Sequence, residues 1–109
     1  RKAVSETNGS ATLHLPTSFS GLASMHARRD VGVRQREYTE LTVETVRLDD
    51  FAQEAGLDQI ALIKFDIEGH ELHALHGADR LLAERRIAAL TFEFGSANVN
   101  SRTYFRDFW

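Results

Sequence analysis

The sequence predicts an α/β fold with a mostly parallel sheet, and a strand–helix–strand unit in its second half carries this prediction. Residues 60–67 and 87–94 are short, nearly continuous apolar runs bounded by turn residues, which is typical of strands buried on both faces of a parallel sheet. The residues between them predict a helix over 70–86, because four apolar side chains share one helical face: Leu72, Leu75, Ala78 and Leu82. Together these segments form a βαβ unit.

The first half of the chain predicts further strands and a short helix. Residues 1–15 read as a strand, a turn and a second strand, so we expect a β-hairpin whose turn is Asn8-Gly9, a dipeptide that tolerates positive φ. Residues 40–48 alternate between apolar and polar side chains, which predicts another strand. A short helix should follow, with Asp49 as its N-cap and Gly56 at its C-terminal end.

Composition limits the classes of protein that the chain can represent. It has 109 residues, 42% hydrophobic and 27% charged, as expected for a folded domain rather than a disordered one. The absence of cysteine excludes disulfides, thiolate metal sites and a cysteine nucleophile. The net charge of −3 is not the footprint of a nucleic-acid binder, and no apolar run is long enough to cross a bilayer. We therefore expect no nucleic acid and no membrane among its partners, and a cytoplasmic location.

Acidic side chains collect in residues 48–109, which hold eleven acidic and six basic groups. In an open α/β sheet, ligands bind beyond the carboxyl ends of the strands. Two such ends predict four carboxylates near one edge of the sheet: Asp66, Glu68, Glu71 and Glu93. Glu68 and Glu71 can equally complement the dipole at a helix N-terminus. Asp66 ends a hydrophobic strand, which favours a functional role.

Three histidines, His70, His73 and His76, follow the first of these strand ends. Their spacing spreads them around a helix, unlike the zinc protease motif, whose two histidines share one face. His70 and His73 could share an ion with Asp66, but no second cluster completes a ligand set. The alternative is a solvated or partner-facing helix surface, and the sequence therefore assigns no metal site.

The stretch 62–78 resembles the signature of the FkbM-type methyltransferases. It combines an apolar strand with Lys64 and Asp66, then Glu-Gly, any residue and Glu, and finally Leu and Gly-Ala. The flanking segments 3–15, 45–51 and 90–95 are similar to the family as well. The resemblance covers nearly the whole chain apart from 16–37, which we predict to be a loop.

This resemblance implies a class I methyltransferase, in which a doubly wound, mostly parallel, Rossmann-like sheet binds S-adenosylmethionine. Members move the methyl group to an oxygen, usually of a sugar or natural-product hydroxyl, so a small molecule or glycan is the expected acceptor. The family's first strand, its glycine-rich cofactor loop and the acidic residue that holds the ribose are not found. We therefore expect residues 1–109 to be one partial domain, the middle-to-late portion of the fold, cut from something longer and inactive by itself.

Carried over by position, the resemblance also assigns site residues. Ser5 would lie near the adenine, and Asp66 near the methyl group and the acceptor, with Glu68 beside it. Ser5 and Asp66 are therefore assigned to cofactor binding, and Asp66 and Glu68 to catalysis. A carboxylate near the acceptor hydroxyl can orient it and accept its proton.

Two other functions remain open from the sequence. A non-catalytic α/β interaction module would use the same fold for docking or regulation, and a strand followed by a Gly-x-Gly loop in the parent chain would exclude it. A small metal-dependent hydrolase would use His70, His73 and Asp66, and it would carry metal when purified.

Overall fold

The computed structural model describes residues 1–16, 23–26 and 38–109, which form an α/β arrangement of two small sheets and short helices. One sheet has the strand order β1-β3-β2, from β1 (Lys2–Val4), β2 (Gly9–Pro16) and β3 (Tyr38–Val46). The other pairs β4 (Ile63–Phe65) with β5 (Leu90–Phe92). The α-helices of the described residues are α1 (Leu48–Glu54), α2 (Glu71–His76), α3 (Asp79–Ala83) and α4 (Ser96–Ser101), and a 3₁₀ helix, Phe105–Phe108, follows them.

The predicted parallel pair is confirmed, with shorter strands than expected. β4 and β5 are parallel neighbours, with Ile63 opposite Leu90 and Phe65 opposite Phe92. An isolated parallel bridge between residues 60 and 87 extends the pairing toward the start of both runs. The two apolar runs therefore lie side by side in the predicted orientation.

The expectation that the first run is buried on both faces is wrong. Phe65 is buried in the core, whereas Leu62 is 61% exposed and Lys64 is exposed as well. Successive side chains of a strand point to opposite faces. Helices cover the face that carries Phe65, and the described residues leave the face of Leu62 and Lys64 largely open.

The predicted N-terminal hairpin is also wrong, because β1 and β2 do not pair with each other. β3 runs between them, parallel to β1 and antiparallel to β2, so that Thr45 pairs with Ala3 on one side and with Gly9 on the other. The side chain of Asn8 accepts a hydrogen bond from the backbone N–H of Arg47 at 2.8 Å. A strand distant in sequence therefore satisfies the backbone groups that a local hairpin would have paired.

Helix α1 ends as the sequence predicts but begins differently. Gly56 has a φ of 65°, and the N–H of Leu57 donates to the carbonyl of Ala52 at 2.9 Å, which is the Schellman arrangement. The N-cap position is occupied by Arg47 without a side-chain cap. Asp49 lies inside the first turn of α1, so its assignment as the N-cap of this helix is wrong.

The single helix predicted over 70–86 is divided into α2 and α3, and Asp49 occupies the break. Its two carboxylate oxygens accept the backbone N–H groups of Arg80 and Leu81, each at 3.0 Å. Its own N–H donates to the carbonyl of Gly77 at 2.9 Å. These bonds take the place of bonds that a continuous helix would make within itself, and they cap the start of α3.

The core lies where β4 and β5 meet α1, α2 and α3. Its buried members are Leu48, Ala52, Phe65, Ala74, Ala78 and Leu81. In the described ranges, no helix has the length and apolar character needed to cross a membrane.

The loop predicted over 16–37 falls mostly outside the described residues. Pro16 is the last residue of β2. In the described segment 23–26, Ser24 forms an isolated antiparallel bridge with His14 of β2. This bridge holds the segment beside the first sheet.

Candidate functional site

The ends of β4 and β5 meet at one cavity of about 260 Å³. All four carboxylates that the sequence predicts for one edge line this cavity: Asp66, Glu68, Glu71 and Glu93. Its opposite wall is the start of α4, from Ser96 to Asn98. Parallel strands have their carboxyl ends at the same edge, so the pairing of β4 with β5 is sufficient to bring these groups together.

Asp66 is the first residue after β4, and its side chain is 52% exposed. The ammonium of Lys64 donates to its Oδ2 at 3.1 Å. This hydrogen bond, together with the charge of the carboxylate, raises the pKa of Lys64. Asp66 therefore presents a carboxylate to solvent, with one cation beside it.

The turn after Asp66 has a left-handed backbone at two successive residues. Glu68 has a φ of 52° and Gly69 a φ of 95°. A side chain at Gly69 would collide with the backbone carbonyl of Ala97, so glycine is required there. A non-glycine residue in the left-handed region costs about 1–2 kcal/mol, and such strain is concentrated at functional turns. The conformation of Glu68 marks this turn as a candidate functional segment.

Glu71 holds this turn in place. The side chain is 1% exposed, and its Oε1 accepts the backbone N–H groups of Ile67 at 3.3 Å and Gly69 at 3.2 Å. Its Oε2 accepts a hydrogen bond from Nδ2 of Asn98 at 3.3 Å. Both oxygens are therefore occupied by the framework, so the alternative in which Glu71 serves the helix N-terminus describes it better than a catalytic role.

Ser5 connects the first sheet to the same turn. It follows β1 directly, is buried, and its N–H donates to the carbonyl of Val46 at 3.0 Å. Its Oγ lies 3.0 Å from Nε2 of His70, the residue immediately before α2. The hydroxyl assigned to cofactor binding thus contacts the imidazole that follows the Asp66 turn.

A larger cavity of about 480 Å³ separates the first sheet from β4. Its walls are mainly apolar and include Val4, Leu13, Ile63, Phe65 and Ile67. Asp66 and His70 also line it, so the carboxylate of Asp66 borders both cavities. Its volume and apolar lining are typical of sites for small molecules and cofactors.

Three imidazoles, those of His26, His70 and His73, lie together beside this cavity, and one ligand atom from each lies within 4.8 Å of the others. Nε2 of His26 is 3.1 Å from Nδ1 of His70. Nδ1 of His73 is 3.5 Å from a carboxylate oxygen of Glu6. His76 lies on the rim of the group, with its Nδ1 3.7 Å from the same Glu6 oxygen. His26 takes the place that the sequence-based metal hypothesis gave to Asp66.

Burial and the neighbouring imidazoles lower the pKa values of two histidines in this cluster, His70 and His26. Burial, followed by the positive charge that His73 and His26 would carry, lowers the pKa of His70 to about 4. Burial, and then His73, also lowers the pKa of His26. Both rings are therefore neutral near pH 7, and one of them donates its ring N–H to the other.

Sequence reasoning missed His26, because it lies alone in 16–37 with no partner at a meaningful spacing. Ser24 brings it to the site: its Oγ donates to the carbonyl of Glu68 at 2.8 Å and accepts the N–H of His26 at 3.0 Å. No local signal in the sequence indicates these contacts.

Comparison with known proteins agrees with the motif. The family model described as the methyltransferase FkbM domain matches residues 2–108. The 2-O-methyltransferase NoeI of Sinorhizobium fredii (strain NBRC 101917 / NGR234) is 44% identical over 46 residues, which are 42% of this chain and 19% of that protein. The chain therefore matches only about a fifth of the length of this curated relative. No solved structure matches the chain. Because the family model extends over nearly every residue, the chain belongs to the FkbM methyltransferase family.

Proposed function

We propose that the protein transfers a methyl group from S-adenosylmethionine to a hydroxyl of a sugar or another natural product. Membership of the FkbM family supports methyl transfer, and the name of the relative NoeI supports an oxygen as the acceptor. In this proposal the two sheets are parts of one class I, doubly wound, Rossmann-like sheet. The parallel pairing of β4 with β5, and the cavity beyond their carboxyl ends, are consistent with that fold.

The described residues fit two parts of this cofactor. The apolar walls of the larger cavity suit an adenine ring, and the carboxylate of Asp66 at its border complements the positive charge of a sulfonium. When bound, S-adenosylmethionine supplies a methyl group activated by that charge. His70 lines this cavity and contacts Ser5 at 3.0 Å, and we place the adenine beside these two residues.

The position of Asp66 carries the proposal, since its carboxylate borders both the apolar cavity and the acidic one. From there it can orient an acceptor hydroxyl toward the methyl group and accept the hydroxyl proton as the new bond forms. Lys64 keeps this carboxylate paired with a positive charge. Glu68, on the strained turn beside it, is the second candidate.

The test is made in the full-length protein, because we expect residues 1–109 to be inactive by themselves. It compares Asp66→Asn with the unmutated parent, using S-adenosylmethionine labelled on its methyl group and a panel of sugar and oligosaccharide acceptors. We expect turnover to fall by about 10²–10⁴-fold, the typical contribution of a general base. The dissociation constant of S-adenosylmethionine should change far less, because in this proposal the apolar walls of the larger cavity supply most of the cofactor contacts and Asp66 contributes one exposed charge to them. Glu93→Gln is the matched control, since it removes an exposed carboxylate from the same cavity and should retain most activity.

Methyl transfer by the Asn variant within a factor of two of the parent would show that Asp66 is misassigned. Failure of the parent protein to bind S-adenosylmethionine would favour a non-catalytic interaction module instead.

A further inference from the structure

The histidine cluster has the geometry of a metal site, and the proposed methyl transfer does not explain it. A tetrahedral zinc ion with Zn–N bonds of about 2.0–2.1 Å holds neighbouring nitrogens about 3.3 Å apart. A hydrogen bond of 3.1 Å between Nε2 of His26 and Nδ1 of His70 already holds these two nitrogens close to that separation, and an ion would replace the shared proton. The third nitrogen, from His73, lies within 4.8 Å of the other two, and this side chain is 30% exposed. To complete the set, the nitrogen of His73 would move closer to the other two.

We propose that the imidazoles of His26, His70 and His73 bind one zinc ion, with the fourth coordination position open to water. Three histidines and a water form an established ligand set for zinc in proteins. Imidazole nitrogens favour zinc and neighbouring transition metals over magnesium and calcium, which prefer oxygen. In the described part of the chain, these histidines are the group of three that converges closely enough to hold an ion.

Two of the three imidazole rings also contact an oxygen of a neighbouring side chain, which can orient them for metal binding. Metal-binding histidines usually donate their second ring N–H to an oxygen, which fixes the ring and the tautomer. Ser5 Oγ lies 3.0 Å from Nε2 of His70 and so leaves Nδ1 for the ion. The carboxylate of Glu6 lies 3.5 Å from Nδ1 of His73 and can hold that ring in the same way.

The ion would connect two parts of the fold that are distant in sequence: the segment that carries His26, and the turn and helix that carry His70 and His73. His26 belongs to the segment 23–26, His70 to the turn after β4, and His73 to α2. Without the ion, hydrogen bonds attach the segment: those of Ser24 to Glu68 and His14, and that of His26 to His70. A metal ion that binds the folded state but not the unfolded chain stabilises the fold by mass action. A bound ion would therefore stabilise residues 23–26 in their position beside the larger cavity.

The experiment measures metal binding directly and does not depend on methyl transfer. The intact protein is stripped with a chelator and titrated with Co²⁺, whose visible absorption distinguishes tetrahedral from octahedral coordination. Zn²⁺ affinity is then measured by competition with a chromophoric chelator. We expect one ion per chain, a tetrahedral Co²⁺ spectrum and a Zn²⁺-dependent rise in melting temperature.

His26→Gln and His73→Gln are the informative variants, because both side chains are partly exposed and the fold should tolerate the change. Each should weaken Zn²⁺ binding at least about 10-fold, the lower bound for losing even an outer-shell partner. His14→Gln and His76→Gln are matched controls that remove histidines outside the set and should stay within about twofold. Circular dichroism confirms that each variant is folded.

An octahedral Co²⁺ spectrum, or a Zn²⁺ affinity that the control variants reduce as much as His26→Gln does, would overturn the proposal. The first result would exclude the tetrahedral ligand set, and the second would assign the binding to surface histidines acting independently.

Discussion

The carboxylate of Asp49 accepts the backbone N–H of Leu81 at 3.0 Å, although 32 residues separate them. Through this bond and its equivalent to Arg80, a side chain of α1 caps the N-terminus of α3. The carboxylate also contacts the guanidinium of Arg47 at 3.2 Å. Asp49 is 5% exposed, so it is a buried junction between the helices that cover the β4–β5 sheet.

Replacing Asp49 with Ala should destabilise the protein by about 2 kcal/mol, since it removes a cap and leaves the N–H groups of Arg80 and the buried Leu81 without their acceptors. Urea unfolding followed by circular dichroism measures this loss. Asp58→Ala is the control, because its side chain is fully exposed and surface changes usually stay within about 0.5 kcal/mol. Equal effects of the two variants would contradict the capping role.

The stability that Asp49 contributes should depend on pH. Burial opposes ionisation of Asp49, but the N–H groups of Leu81 and Arg80 and the guanidinium of Arg47 outweigh it and lower its pKa below the ordinary 3.8. At pH values between the lowered pKa of the folded state and 3.8, the folded state therefore binds fewer protons than the unfolded state. The contribution should be complete above pH 3.8 and disappear as the pH falls through the folded value. A difference in unfolding free energy between the parent and Asp49→Asn that stays constant below pH 3.8 would contradict this.

Two helix ends offer a matched test of backbone strain. Gly56 and Arg85 both follow a helix, with φ of 65° and 54°, and both lie in Schellman arrangements. Gly56→Ala should cost about 1 kcal/mol through φ alone, because no atom lies within 4 Å of the added Cβ. Arg85→Gly should instead raise the melting temperature slightly, because glycine adopts a positive φ without strain. The prediction fails if both variants shift the melting temperature in the same direction.

Glu71→Gln should lower stability rather than alter chemistry directly. Its Oε1 must remain an acceptor for two backbone N–H groups, so the new amide would face Nδ2 of Asn98, a donor. Asn98 cannot flip without losing the bond from the N–H of Gly95 to its Oδ1. The unsatisfied contact should cost about 1–3 kcal/mol in chemical unfolding. An unchanged unfolding midpoint would show that the network repacks.

Gly77→Ala should destabilise the junction between α2 and β1. A Cβ at this position would collide with the backbone carbonyl of Ser5, and neither backbone can move aside cheaply. Overpacking of this kind costs about 1–3 kcal/mol. Gly95→Ala is the control, since nothing lies within 4 Å of its added Cβ. Thermal unfolding of both variants tests whether this close approach positions Ser5.

Much of the acidic site could be predicted from the sequence, because it depends on local order along the chain. Apolar runs before Asp66 and Glu93 identified two strands, and their parallel pairing placed both carboxylates at one cavity. The end of α1 at Gly56 could also be predicted, because a glycine just after a short helical segment is a local signal. The FkbM signature lies within one continuous stretch and is confirmed by the family match.

Only the tertiary structure determined the features that depend on contacts between residues far apart in the sequence. The Asn8-Gly9 signal is strong over two residues, yet β3 separates β1 from β2 because it pairs with both. Helical spacing over 70–86 was continuous, yet Asp49 supplies acceptors that divide the helix.

The histidine cluster depends most completely on tertiary structure. His26 and His70 are 44 residues apart, and their meeting depends on the contacts of Ser24. Propensity and periodicity act over one or two turns of chain, and they fixed the local elements of this protein. A buried carboxylate or imidazole is instead placed by whichever distant group satisfies its hydrogen bonds, because leaving a buried polar group unsatisfied costs about 1–3 kcal/mol.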